Sequence, residues 1–324
     1  MTTTLTRRSL LACTGIATAG IALGASPSAR AADSISFSYQ RSSALLLTLK
    51  LQGILASRLS KHGFDINWAE FSHIVSAMST NSVDFHGDVA DAVPIFAQSA
   101  GAPLTYYAME TASPHAEAII VAESSPIRSV ADLRGKTVAV SKGSGCHFLL
   151  LQALKRVRMQ FTDIIPAYLE AAEGSAAFHR GAVDAWVIWD PYLAITQNTL
   201  PVRSLADGAG LTSYNRYYMV STAFAQKYPG LVQIVFDALV EAGVWVRADP
   251  DRAAALLAPV WGGVPVEVIK IVNARRSYDV RPVDQRALAE QQTLADAFAA
   301  ARLVPGVLNV RDAPVWRPVI PSAG

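Results

Sequence analysis

Short β-prone runs alternate with longer helix-periodic runs along this chain, and that alternation restricts it to an α/β architecture. Residues 35–39 precede a helical pattern at 45–62, residues 65–70 one at 74–81, and residues 137–141 one at 145–157. Leu46, Leu47, Lys50, Leu51, Ile54, Leu55 and Leu59 recur at the spacing of one helical face. Thr137-Val138-Ala139-Val140 and Ala185-Trp186-Val187-Ile188-Trp189 carry little polarity, as expected of parallel strands covered by helices on both faces. From about Phe224 onward the pattern is almost wholly helical: Pro250 opens a helix, Trp261-Gly262-Gly263 breaks the run, and an Ala-rich helix covers 284–302. No internal repeat, low-complexity linker or charge run interrupts this order.

The N-terminus reads as an export address. Thr6-Arg7-Arg8-Ser9-Leu10-Leu11 places paired arginines before a small, apolar run over 9–29, and Ala29-Arg30-Ala31 offers the small residues a signal peptidase needs. A twin-arginine signal over residues 1–31, cleaved after about Ala31, is therefore expected, with a periplasmic mature chain. Its removal takes away three arginines and no acid, so the formal net charge moves from +2 to −1. A near-neutral mature chain lacks the broad cationic face that nucleic acid requires. Cys146 is then the sole cysteine, which excludes an intrachain disulfide and leaves stability to apolar burial.

Several segments resemble the periplasmic binding proteins of nitrate, sulfonate and taurine ABC importers, and most closely their aliphatic-sulfonate-binding branch. They are Ser38-Tyr39-Gln40-Arg41-Ser42, Asp84-Phe85, Pro94-Ile95-Phe96-Ala97-Gln98, the stretch 129–136, Lys142-Gly143-Ser144 followed by His147, the stretch 184–192 and Arg275-Arg276-Ser277-Tyr278. The Ala-Asp-Leu-Arg-Gly-Lys portion of 129–136 is common to many such proteins; Trp-Val-Ile-Trp-Asp-Pro-Tyr and Arg-Arg-Ser-Tyr are more specific. The resemblance implies a type II clamshell, α/β in class, with a ligand cleft between two lobes. Lobe one would hold 33–116 and 222–324, lobe two 117–221, with crossings near 116–121 and 217–221. It also implies a monomer that gives up a small anionic ligand, an alkanesulfonate, to the transmembrane permease of an ABC importer; nitrate, taurine or a thiamine-pyrimidine precursor are the alternative cargoes.

Ligands of open α/β sheets bind beyond the carboxyl ends of strands, where loops lead into helices. Ser141 to Gly145 form such a Gly-rich loop leading into a helix, where the Ser144 hydroxyl and the backbone N–H groups of Gly145 and Cys146 are expected to donate to an anion, with His147 beside them. The competing reading is a structural left-handed turn. Gln40, Arg41 and Ser42 offer amide, guanidinium and hydroxyl donors, unless they form an ordinary serine cap with Arg41 in solvent. The loop holding Gly87, Asp88 and Val89 departs from the family's Gly-rich, Thr-containing form, and Asp88 has the wrong sign for a sulfonate; a helix cap is favoured for it over an amine contact. Trp189 ends a strand, where it can lie against a ligand's carbon chain or pack in the core; Asp190 is expected as N-cap with Pro191 at the first helical position. Arg216 is either a closing contact or a solvated hinge residue.

An enzyme would need an activated nucleophile or a metal. Cys146 and His147 are adjacent on a helix, about 100° apart, and do not face each other. The histidines at 62, 73, 86, 115, 147 and 179 are scattered without metal-ligand spacing. No catalytic activity, metal or cofactor is expected.

Overall fold

The computed structural model describes residues 33–40, 42–71 and 83–319. The export signal, Arg41 and the whole of the helix expected at 74–81 lie outside them.

Two mixed sheets organise the chain. The first has the order β11-β4-β10-β3-β1-β2, built from β1 (Asp33–Tyr39), β2 (Phe64–Glu70), β3 (Phe85–Ala90), β4 (Leu104–Glu110), β10 (Arg216–Ser221) and β11 (Val280–Arg281). The second has the order β7-β6-β8-β5-β9, from β5 (Glu117–Ala122), β6 (Thr137–Val140), β7 (Ile165–Tyr168), β8 (Ala185–Trp189) and β9 (Val202–Asp207). β1, β2 and β3 are parallel, as are β6, β7 and β8, but β10 runs against β3 and β4, and β5 against β8 and β9. The sheets are therefore not wholly parallel: β10 and β11 oppose the other strands of the first sheet, and β5 opposes those of the second.

Those connections are residues 111–116 and 208–215. The stretches expected as crossings are strands instead. Residues 217–221 sit in the middle of the first sheet, where Tyr217, Tyr218, Met219 and Val220 are all buried and feed apolar clusters on both faces. A run apolar on both sides is stabilised at a sheet centre, not in a bending segment.

Period-two alternation divides each sheet between two cores. Ile35, Phe37, Phe85, Tyr218 and Val220 face α1 (Ala44–Leu51), α8 (Pro229–Ala248), α9 (Pro250–Leu257) and α10 (Val266–Arg275). Val89, Tyr106, Tyr217 and Met219 face α3 (Ala92–Ser99) and α11 (Gln285–Ala300). In the second sheet Ile119, Val138 and Val187 face α4 (Gly145–Arg156), while Ala118, Ile120 and Trp186 face α5 (Ala171–His179). The first helical stretch is two helices, α1 and α2 (Ile54–Ser60), because Gly53 takes a left-handed φ of +67° between them. α6 (Tyr192–Thr199) and α7 (Thr222–Lys227) complete the helices named here. The expected helix starts in the C-terminal third are present: Asp249 accepts from Arg252 N at 3.1 Å and Asp284 from Ala287 N at 2.8 Å.

Candidate ligand-binding site

β6 ends at Val140, and the chain turns through Ser141 to Ser144 into α4. Ser144 is the N-cap: its hydroxyl accepts from His147 N at 3.2 Å and donates its one proton to Ser141 O at 2.7 Å. The hydroxyl expected to donate to a ligand is therefore committed to its own turn. The N–H groups of Gly145 and Cys146 have no acceptor among the described residues. Two uncommitted N–H groups at the positive end of a twelve-residue helix can donate to an anion's oxygens.

The side chains of Cys146 and His147 take no part in that cradle. Cys146 is fully buried, and burial together with the neighbouring Glu117 pushes its thiol well above the usual range. His147 is buried among the rings of Phe161, Tyr168 and Phe298, at 5.1, 5.8 and 6.0 Å. Its Nδ1 accepts from Gly143 N at 3.2 Å, and burial, with Lys142 adding to it, pushes its pKa down to about 4. The ring is thus neutral, and the Cys–His neighbours form no nucleophile–base pair.

On the first sheet, Gln40 and Ser42 follow β1 and lead into α1. Ser43 N donates to Gln40 O at 2.8 Å and Gln40 N to Ser43 Oγ at 3.1 Å, which folds the loop into a tight turn. Beneath it lies a buried quartet of charges. Arg216 Nε reaches Asp88 Oδ2 at 2.5 Å; Arg276 Nη2 reaches Asp88 Oδ2 at 3.1 Å and Glu110 at 2.6 and 2.7 Å. Tyr218 OH adds a hydrogen bond to Glu110 at 2.5 Å. The quartet supports the turn directly, since Arg276 Nη1 donates to Ser42 O at 2.8 Å and Arg216 Nη2 reaches Ser42 Oγ at 3.5 Å.

These positions correct three expectations. Asp88 lies inside β3 and is no helix cap; the two guanidinium groups against it offset the cost of burying its charge. Val89 points into the apolar core beside Tyr217, so its side chain offers nothing to a ligand, and Gly87 in the same strand abuts Leu46 and Ser43 of the α1 layer. Arg216 is buried at the start of β10, neither solvated nor free to close on a ligand. Arg276 and Glu110 were missed as charged partners; Arg276 stood inside the quoted Arg-Arg-Ser-Tyr segment without a role.

At the end of β8, Trp189 is half-buried and meets Tyr192 edge-on at 6.1 Å, while Trp186 is wholly core. α6 begins at Tyr192 with Pro191 as the residue before it, one position later than expected. Asp190 still binds the helix start, accepting from Ala194 N at 3.0 Å, and pairs with Arg275 at 3.2 Å. Burial raises the Asp190 pKa to about 6 against the opposing pull of Arg275.

The loops from the two sheets meet. A Cβ on Gly145 would lie 2.7 Å from the Tyr214 ring and 3.0 Å from Asp91 Oδ1, and one on Gly143 would strike Phe96 of α3. Arg216 Nη1 donates to Tyr214 OH at 3.3 Å, so the Ser42 turn and the α4 N-terminus are separated by two side chains, Arg216 and Tyr214. Gln40, Ser42, Gly145 and Cys146 are thus positioned around one seam, with Trp189 and Asp190 beyond a neighbouring strand of the second sheet.

Comparisons with known proteins agree with this architecture. The NMT1/THI5-like family profile matches residues 65–253. An aliphatic sulfonates-binding protein of Escherichia coli (strain K12) is 38% identical over 307 residues, 94% of this chain and 93% of that protein. The alkanesulfonate-binding protein SsuA from Xanthomonas axonopodis pv. citri, solved bound to MOPS, superposes with a TM-score of 0.82 at 35% identity, covering 88% of this chain and 98% of that one. The periplasmic aliphatic sulphonate binding protein SsuA from Escherichia coli gives 0.80 at 38%, covering 88% and 97%. With this two-lobed fold, a family match over more than half its length and 38% identity across nearly all of a binding protein, the chain belongs to the NMT1/THI5-like family, among the aliphatic-sulfonate-binding proteins.

Proposed function

We propose that this chain is a periplasmic solute-binding protein that captures an aliphatic sulfonate between its lobes and delivers it to the permease of an ABC importer. It is a binding protein and not an enzyme, in keeping with the relatives that match nearly its whole length. The observation that carries the cargo is the pair of N–H groups at Gly145 and Cys146, without an acceptor among the described residues, on the helix end that packs against the seam. A sulfonate is a monoanion whose oxygens only accept, so neutral backbone donors at a helix N-terminus suit it. Arg216 and Arg276 are already neutralised by Asp88 and Glu110, which leaves no free cation in the quartet to demand a dianion. Gln40 and the Ser42 hydroxyl would contribute from the first sheet, together with Arg41.

Lobe one then comprises 33–116 and the C-terminal part, lobe two the second sheet and its helices, moving about 111–116 and 208–215 as a monomer. Trp189 would flank the carbon chain. Calorimetric titration with methanesulfonate, hexanesulfonate, taurine, nitrate and sulfate tests the cargo: sulfonates should bind, and nitrate binding without sulfonate binding would overturn the reading. In Trp189→Ala, hexanesulfonate should weaken by about tenfold or more while methanesulfonate changes little, since an indole face contributes ~1.5 to 3 kcal/mol of apolar burial. Equal loss for both ligands would remove Trp189 from the chain-binding role.

The supporting reading for export is the Arg7-Arg8 pair. Replacing both by lysine should trap the precursor in the cytoplasm, scored by fractionation. Unchanged periplasmic accumulation would show that the twin-arginine route is not used.

A further inference from the structure

We infer that closure of the two lobes takes up protons at Asp91 and Glu117, so that capture of cargo is linked to pH. The link to cargo rests on the function proposed above; the link to closure does not. Asp91 is the last residue before α3, on the first-sheet side, and Glu117 is the first residue of β5 in the second sheet. Both are buried. Asp91 caps nothing with its side chain, and its Oδ1 has no hydrogen-bond partner among the described residues. Glu117 Oε1 accepts from Thr212 Oγ1 at 2.6 Å, while Oε2 makes no strong hydrogen bond among the described residues and the carboxylate's other polar neighbour is the weakly donating Cys146 thiol. Neither orphan oxygen has accessible surface, so neither a water nor a counter-ion can sit against it.

The surrounding charges cannot keep both groups ionised. Around Asp91 stand Arg216 from β10, Glu290 from α11, and Cys146 and Tyr214 across the seam. Around Glu117 stand Asp91, Arg216, Thr212 and Cys146, with Tyr214 also within its field. Arg216 is the one cation in this set, and its guanidinium already holds Asp88 at 2.5 Å. Burial pushes Tyr214 and Cys146 well above their usual ranges, so both remain neutral and add no positive charge. Protons are the remaining means of neutralising the pair. In line with that, burial raises Asp91 to about 7, and burial with the Asp91 charge raises Glu117 to about 8.

The seam that buries them is made by closure. Gly145 of α4 lies against Asp91, Gly143 against Phe96, and Phe148 against Phe298 of α11 at 6.1 Å, all joining second-sheet to first-sheet elements. Opening would return water to Asp91 and Glu117 and let them titrate near the ordinary carboxylate value of about 4. Because the closed-state values are the higher ones, closure takes up protons between about pH 4 and the closed values of about 7 and 8. Closure is favoured at low pH and is lost as pH rises through that window, by about tenfold per pH unit for each proton taken up.

Small-angle scattering of the mature, ligand-free protein from pH 5.5 to 8.5 tests the closure step. The radius of gyration should rise with pH in the wild type and stay near its low-pH value in Asp91→Asn/Glu117→Gln, whose amides mimic the protonated acids. A wild-type radius independent of pH, or a double variant that follows the wild-type profile, overturns the inference. Hexanesulfonate titrated at pH 6.5 in two buffers of different ionisation enthalpy tests the link to cargo. Between about one and two protons should be taken up per ligand in the wild type and about one fewer in Glu117→Gln, which also serves if the double variant does not fold. Binding with no proton uptake overturns the link to cargo. Absence of hexanesulfonate binding at every pH defeats the proposed cargo instead, and the scattering profile still decides the closure step.

Discussion

Arg276→Ala is expected to destabilise the protein by about 3 to 5 kcal/mol, because it strands Glu110 and one side of Asp88 as buried, under-compensated carboxylates. That corresponds to a melting temperature lower by on the order of 10 °C for a chain of this size. Urea unfolding of the mature protein gives the free-energy change through a lower midpoint at an unchanged slope. The same change frees Ser42 O, which Arg276 Nη1 holds at 2.8 Å, so the turn carrying Gln40 and Ser42 should loosen and sulfonate affinity should fall as well. Arg276→Met/Glu110→Leu separates the two effects. It removes both partners of the Arg276–Glu110 pair and leaves Asp88 with Arg216, so stability should recover above that of Arg276→Ala, while the Ser42 contact stays broken. A double variant whose loss of stability equals the sum of its two single changes would show that the quartet is not a set of mutually dependent charges.

The quartet also marks the limit of what the sequence discloses. Strands such as 137–140 and 185–189 were legible because apolar residues on both faces leave few other solutions, and the α4 N-terminus was legible because Gly143-Ser144-Gly145 follows such a strand. Asp88 and Arg216 are 128 positions apart, and nothing local distinguishes a buried acid from a helix cap until its partner is known. Local rules accordingly favoured the cap. The Ser144 hydroxyl misled for a related reason: a serine before a helix can serve its own N–H groups or a ligand, and the choice depends on where Ser141 O falls. Strand 217–221 was placed at a crossing by analogy with the family, although its uninterrupted burial on both faces is the signature of a sheet centre. The seam of Asp91, Glu117, Cys146 and Tyr214 draws on separate elements and has no local signal at all.

Gly145→Val should weaken hexanesulfonate binding by about 5- to 150-fold while leaving each lobe folded. Gly145 does not occupy the left-handed region, so a β-carbon costs the backbone nothing, and glycine is the poorer helix former. The cost falls on closure. The new Cβ would sit 2.7 Å from the ring of Tyr214, which is itself buried, and 3.0 Å from Asp91 Oδ1, and neither neighbour can retreat without opening the packed seam. Overpacking of this kind costs about 1 to 3 kcal/mol, which lowers the closed population, and with it the apparent affinity, by about 5- to 150-fold. Ser144→Ala provides the contrast. It deletes a cap worth about 1 kcal/mol of stability but keeps the Gly145 and Cys146 donors, so affinity should change by only a few-fold. Calorimetry on both variants, paired with scattering at a hexanesulfonate concentration that just saturates the wild type, reads the difference: Gly145→Val should remain largely expanded where Ser144→Ala contracts. If Gly145→Val bound as tightly as the wild type, the contact of α4 with Tyr214 and Asp91 would be no part of the ligand-bound state.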